Sequence, residues 1–319
     1  MMFQISILLF THLFLPAWFL FWLWKGKYKT KFDWLIRSLL VGTFFLYIFL
    51  SGRWDWVGYY FRYLWLLLFF IVLYKTYRGN RSATFYIRKD IKTWFFTGIN
   101  IIVIVIFLLF SAFAISGYFY NEKPINLSFP LKNGIYYVGH GGSSPVINYH
   151  NIVTSQRFAL DIVKLNIFGI RAEGILPETL TKYEIFGDTV YSPCNGIVIE
   201  TENNLEDQIP PQINRENFKE NRNNIAGNRV VILGDGYKIL IAHMMKNSLM
   251  VSEGDTITTG QPVGRVGNTG NTSEPHLHIH AEKGGEEIPI LTGEGIPVVF
   301  NGRFLVRNSL VFNQVGVNY

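Results

Sequence analysis

Cysteine is nearly absent: Cys194 is the single one among 319 residues. No intramolecular disulfide can form, so any part of the chain outside the cytoplasm must hold its fold by core packing alone. Cys194 sits in "VYSPCNGIVIE", between a turn signal and an apolar strand, and reads as a buried structural thiol. Acidic residues are scarce early in the chain. Residues 1–120 hold 13 Lys and Arg against 3 Asp and Glu, a net charge of +10. Residues 121–319 reverse the balance, with 16 against 20 and a net −4. The overall +6 therefore averages a basic apolar part and a mildly acidic polar part. No basic stripe remains on the polar part, which excludes nucleic acid as a partner. No positive residue precedes the first apolar run and no small-residue cleavage site follows it, so that run is not read as a cleavable signal peptide.

Long apolar runs are what the first part does have. Crossing a bilayer as a helix takes about 20 mostly apolar residues. Four stretches qualify, from about Phe3 to Trp24, Trp34 to Leu50, Trp56 to Tyr74 and Trp94 to Tyr118, with Trp and Tyr near their ends. Positive residues in short loops mark the cytoplasmic side. The first loop carries Lys25, Lys27, Lys29 and Lys31; the third carries Lys75, Arg78, Arg81, Arg88, Lys89 and Lys92; in the second, Asp55 offsets Arg53. Loops one and three are thus expected in the cytoplasm. The chain is then a multi-pass membrane protein, with both termini and everything after Tyr118 outside. Arg37 and Arg62 lie near enough to span ends to snorkel. His12 receives no role.

The sequence divides into a four-helix transmembrane region at 1–118, a linker at 119–135 containing Pro124 and Pro130, and a β-rich domain at 136–319. Beyond the linker, short β-branched runs are cut by Gly, Pro, Asn and Asp, and no long amphipathic helix appears. "GDG" at 234–236 separates two apolar runs as a hairpin would. Residues 201–228 are polar and read as a long surface loop. The expected fold is a membrane α-helical region followed by a mainly antiparallel β domain.

The strongest chemical signal is "EPHLHIHAE". Residues two apart on a strand share a face, so His276, His278 and His280 project together while Leu277 and Ile279 point to the core. Neutral imidazoles side by side suit a transition metal. The segment "GDTITTGQPVGRVGNTGNTSEPHLHIHAE" resembles the signature of lysostaphin-like (LytM-type) zinc peptidases: a Gly-Asp turn at Gly254 and Asp255, a glycine hairpin at Gly260–Gly264, a second turn at Gly267–Gly270, then Pro275–His278. "YKILIAHM", with His243, matches the family's upstream element. The resemblance covers roughly residues 135–300.

It implies one zinc ion per chain, with His278 as a ligand, His276 acting on the water and His243 stabilising charge at the reacting centre. It also implies a histidine followed four residues later by an aspartate as the remaining ligands. In "RFALDIV", Asp161 fits the aspartate, but Arg157 stands where the histidine belongs, and a guanidinium has no lone pair for a metal. His150, in "NYHNIVTSQRFALDIV", is the nearest replacement, and His140 is the runner-up. Arg157 could pair with Asp161, orient a ligand or bind a substrate carboxylate. His280, one pleat beyond His278, is expected to be dispensable for the metal. The implied activity is hydrolysis of peptide bonds in peptidoglycan by a domain anchored to the bilayer. The alternative, favoured by Arg157, is a non-catalytic module that binds wall or regulates other wall hydrolases.

Overall fold

The computed structural model describes residues 2–86, 90–212 and 222–313 and divides into two compact units, Met1–Ile115 and Ser116–Tyr319. Arg88 and Lys89 of the third loop, and 213–221 of the polar loop, lie outside the described residues.

The first unit is helical: α1 (Met2–Leu9), a π turn at Phe10–Phe14, α2 (Leu15–Trp24), α3 (Lys31–Ser51), α4 (Phe61–Gly79) and α5 (Ile91–Ser116). The π turn has a local cause. Pro16 lacks the N–H that would bond the carbonyl of His12, and the indole of Trp65 donates to that carbonyl instead, at 3.0 Å. Thr30 caps α3, its hydroxyl accepting from Asp33 N at 3.0 Å, and Asp33 suits the positive end of the helix dipole.

Among the described residues three helices, not four, are long and apolar enough by composition to cross a membrane: Ile5–Trp24, Lys31–Ser51 and Ile91–Ser116. The expected run from Trp56 is displaced. Trp54–Trp56 form a 3-10 turn, Gly58 adopts φ +112°, and the helix starts only at Phe61. It then carries Arg62, Lys75 and Arg78, which lower its apolarity. Large apolar side chains such as Ile102, Leu109 and Phe113 are exposed along α5, as expected of a surface that faces lipid.

The second unit is built from β1 (Ile125–Leu127), β2 (Gly134–His140), β3 (Leu160–Leu165), β4 (Thr189–Tyr191), β5 (Gly196–Glu202), β6 (Asn228–Leu233), β7 (Tyr237–Met244), β8 (Thr256–Ile257), β9 (Pro262–Arg265), β10 (Leu277–Lys283), β11 (Gly295–Ile296), β12 (Val298–Phe300), β13 (Arg303–Phe304) and β14 (Leu310–Asn313). The main sheet runs β14-β2-β3-β10-β7-β6-β5-β8, with β11 beside β10, and every pairing in it is antiparallel. The β6–β7 hairpin forms around 234–236 as its sequence predicts.

The segment expected to be a linker is partly core. β1 pairs in parallel with β12, and Leu127, Phe129 and Leu131 are buried. Its prolines exclude a helix but do not stop alternate apolar residues from packing against a sheet. Cys194 is buried in the same core, and burial pushes its thiol up to about 11, so it is protonated and inert.

Candidate metal centre

The site is organised by alternation along β10. Leu277, Ile279 and Ala281 enter the main core, and burying each larger side chain stabilises by about 1.5–3 kcal/mol. His278, His280 and Glu282 are left on the opposite face. A one-residue slip would exchange the two faces, so the core residues hold the register. That register sets His278 opposite Asp161 on β3 and opposite Ala242 on β7.

His150 arrives from a loop. It lies in a 3-10 turn, Tyr149–Ile152, whose N-cap Asn148 accepts from His150 N at 3.2 Å. The Asn148 amide donates to the carbonyls of Gly142 and Ala159, at 2.9 and 3.1 Å, tying the turn to the start of β3. His150 Nε2 thereby lies 3.0 Å from both carboxylate oxygens of Asp161, and His278 Nδ1 lies 2.9 Å from Asp161 Oδ1. Two trios among the described residues bring ligating atoms within 4.8 Å of one another: His150, Asp161 and His278, and His243, His276 and His278.

His243 reaches the site through a bulge. Ile239 and Ile241 of β7 point into the main core, whereas Leu240 and Ala242 pack on the other face. Continued alternation would bury His243 in the core. Instead Asn228 pairs with Met244 and Val230 with Ile241, so two β7 residues oppose Arg229 alone. His243 takes φ +61°, and Met244 returns to the core. A non-glycine residue there costs on the order of 1–3 kcal/mol. The strain turns the imidazole onto the metal face, where its Nδ1 donates to the Thr269 carbonyl at 2.8 Å. The Gly267–Gly270 turn positions that carbonyl. Gly270, at φ +84°, and Gly227, at φ +67°, approach so closely that a Cβ on either would meet backbone atoms 2.3–2.4 Å away.

His276 stands 4.8 Å from His243, ring centre to ring centre. Its Nδ1 lies 2.9 Å from the Glu274 carbonyl and its Nε2 3.5 Å from Asp161 Oδ1. Glu274 is anchored by a buried ion pair with Arg171 at 2.6 Å.

His280 is not remote from His278. Glu282 accepts from Leu291 N and Gly293 N, at 2.8 and 2.9 Å, and its Oε1 lies 2.9 Å from His280 Nε2. His280 Nδ1 lies 2.9 Å from His278 Nε2. Burial raises the Glu282 carboxyl, but its bonds to His280 and the backbone outweigh that and hold it below the usual range. The ionised carboxylate only accepts, so His280 Nε2 carries the proton and its Nδ1 accepts from His278 Nε2–H. His278 Nδ1 is left with a lone pair aimed at Asp161. Burial keeps this ring neutral, its pKa lowered to about 3. Asp161 is ionised as well: burial raises its carboxyl, yet His150 and His276 bring it well below the ordinary value. A lone pair facing a carboxylate oxygen at 2.9 Å repels unless a cation lies between them. The donor set of two imidazoles and a carboxylate therefore fits zinc.

The other imidazoles differ. Burial lowers His243 well below the usual histidine value. Burial lowers His276 too, but Asp161 outweighs it and the net shift is upward. His280 is lowered by burial.

Of the residues singled out in the sequence, the fold gathers His150, Asp161, His243, His276, His278 and His280. His140 stays outside both trios, with Nδ1 2.8 Å from Arg307 Nη2 and its ring against Tyr149. Arg157 pairs with Glu122 and Glu294 and donates to the Gly295 carbonyl, rather than meeting Asp161. Sequence reasoning missed three contributors. Tyr149 donates to Asp161 Oδ2 at 3.3 Å, and Arg171 and Glu282 act through their partners. Glu282 was within reach, since it continues the two-residue alternation from His278 and His280.

The model of Peptidase family M23 matches residues 181–289, which include His243, His276 and His278 and begin after His150 and Asp161. Among solved structures, a zinc-containing peptidase from Vibrio cholerae is 21% identical, with 50% of this chain and 37% of that one covered at a TM-score of 0.30. The catalytic domain of the prophage-encoded M23 protein EnpA from Enterococcus faecalis is 21% identical, with 35% and 73% covered at 0.22. The catalytic domain of lysostaphin from Staphylococcus simulans is 17% identical, with 37% and 82% covered at 0.23. This chain thus spans 37% of the length of the Vibrio cholerae peptidase. The matched family and the histidines within it agree: residues 181–289 are a Peptidase family M23 domain.

Proposed function

We propose that this chain is a membrane-anchored, zinc-dependent endopeptidase that hydrolyses peptide bonds of peptidoglycan. The observation that carries the reading is the convergence of His278 Nδ1, at 2.9 Å, and His150 Nε2, at 3.0 Å, on the Asp161 carboxylate. His150, Asp161 and His278 would hold one zinc ion, which supplies Lewis acidity toward a peptide carbonyl at neutral pH. The feature that favoured a non-catalytic module, Arg157, is occupied by other partners, and His150 supplies the imidazole that Arg157 lacks.

Two histidines remain for proton transfer. Both direct Nδ1 at a backbone carbonyl, which only accepts, so Nδ1–H is the donor in each ring. Each neutral ring therefore presents a lone pair on Nε2. It can donate through Nε2 only when fully protonated. Burial opposes protonation of His243, whereas Asp161 favours it at His276. This supports His243 as the group that takes a proton from water and His276 as the donor to developing negative charge, the reverse of the roles the resemblance implies.

The purified full chain is expected to retain about one zinc ion. It should cleave cell-wall peptides, lose that activity on chelation and regain it when zinc returns. Undiminished cleavage by the metal-stripped chain would refute the proposal, as would failure to retain zinc.

We also infer that α4 crosses the membrane, although its composition is less apolar than that of the other spans. Its charges lie near its ends: Arg62 stacks over Phe49 at 3.9 Å, and Lys75 over Trp24 at 4.5 Å. Four crossings with basic first and third loops put the β domain outside. A reporter fused after Tyr319 should report an extracytoplasmic location, and activity confined to the cytoplasm would reverse the topology.

A further inference from the structure

The helical unit contains a cavity of about 510 Å³ where the end of α2 and the starts of α3 and α5 meet. Four cations line it: Lys27 and Lys29 from the α2–α3 loop, Arg37 from α3 and Lys92 from α5. Two carboxylates are present, and one is engaged, since Asp90 accepts from the backbone N and hydroxyl of Thr93 at 2.9 and 2.8 Å. Asp33 lies in the first turn of α3. Among the described residues, none of the four cations is within ion-pair distance of a carboxylate. Arg37 instead stacks over Trp22 at 4.1 Å.

Elsewhere in this unit a basic side chain has a carboxylate partner or, like Arg37, an aromatic one. Arg53 is bidentate to Asp55, at 2.9 and 2.7 Å, and Arg62 lies over an aromatic face. Around the cavity four cations converge with an excess of two positive charges over the lining carboxylates. Trp22, Ile36 and Phe96 provide apolar wall. A cavity with cations, two helix N-termini and apolar sides matches an amphiphile that carries a phosphate.

We propose that this cavity binds the phosphate headgroup of an anionic glycerophospholipid, with the lysines and Arg37 around the phosphate and acyl chain against Trp22 and Phe96. The proposal rests on the membrane reading of this unit. A lysine near an anionic membrane surface contributes about 1 kcal/mol, or roughly fivefold in binding, so three together contribute on the order of 100-fold.

The test uses the full chain in phosphatidylcholine nanodiscs containing phosphatidylglycerol, with retained lipid measured by mass spectrometry. Replacing Lys27, Lys29 and Lys92 together by Gln should cut phosphatidylglycerol retention on the order of 100-fold relative to phosphatidylcholine. A charge-matched variant at Lys75, Arg78 and Arg81, which do not line the cavity, should lose clearly less. Equal losses in the two variants would mean general surface attraction and overturn the site. So would undiminished retention in the first variant. Displacement of the lipid by inorganic phosphate at equal concentration would assign the cavity to free phosphate and overturn the lipid. A chain that does not enter the nanodisc removes the membrane reading and this site with it, an outcome distinct from a chain that inserts and retains no phosphatidylglycerol.

Discussion

Replacing His243 with Ala is expected to leave zinc bound and to slow peptide hydrolysis by about 10²–10⁴-fold, the usual contribution of a general base. Replacing His276 should slow it by about 10²–10³-fold, the usual contribution of one donor to developing negative charge. The pH profile of kcat/KM separates the two roles. A base must be neutral, so its titration produces the acidic limb, and burial of His243 moves that limb below the ordinary histidine range. A donor must be protonated, so its titration produces the alkaline limb, and Asp161 moves that limb upward. A cation on the Asp161 carboxylate weakens this lift without changing which limb His276 controls. His243→Ala should therefore flatten the acidic limb and His276→Ala the alkaline one. The opposite pairing of limbs would restore the roles implied by the resemblance. Loss of zinc from either variant would instead place that histidine among the ligands.

Much of this site is legible in the sequence because it lies on one strand. In "HLHIHAE" the alternation itself tells which side chains share a face, and Leu277 and Ile279 settle which face joins the apolar core. Asp161 could be placed from its local motif, but its pairing with His278 is a contact between strands 117 residues apart, set by sheet order. His243 is the clearest failure of pattern reasoning. Simple alternation along "YKILIAHM" buries it, and only the bulge and its positive φ turn it outward. Arg157 shows the reverse problem. Four residues before Asp161, it sits where the resemblance implies a ligand, yet it pairs with Glu122 and Glu294, and no local signal predicts those partners. In the helical unit, the run expected from Trp56 becomes a helix only at Phe61, because Trp54–Trp56 form a 3-10 turn and Gly58 takes φ +112°.

The ligand set predicts a graded loss of metal. His150→Ala, Asp161→Ala and His278→Ala each remove one of three donors whose ligating atoms lie within 4.8 Å of one another. Each variant should lose zinc and with it detectable hydrolysis, since two donors leave the ion poorly held. His140→Ala should keep both, because its Nδ1 is turned to Arg307. His280 tests the finer claim. If it only shared a strand face with His278, its removal would leave zinc affinity unchanged. As the link between Glu282 and His278 Nε2, it holds His278 in the tautomer whose Nδ1 lone pair faces Asp161. Loss of such a partner typically weakens metal binding 10–100-fold. His280→Ala should show that intermediate loss, and Glu282→Gln, which keeps the side chain's size but weakens acceptance from His280, should move in the same direction. Isothermal titration of zinc into the metal-free chain reads the whole series. Full affinity in both His280→Ala and Glu282→Gln would remove the relay. Zinc retained by His150→Ala but lost from His243→Ala would transfer the ion to the second trio, His243, His276 and His278, and leave Asp161 as its neighbour.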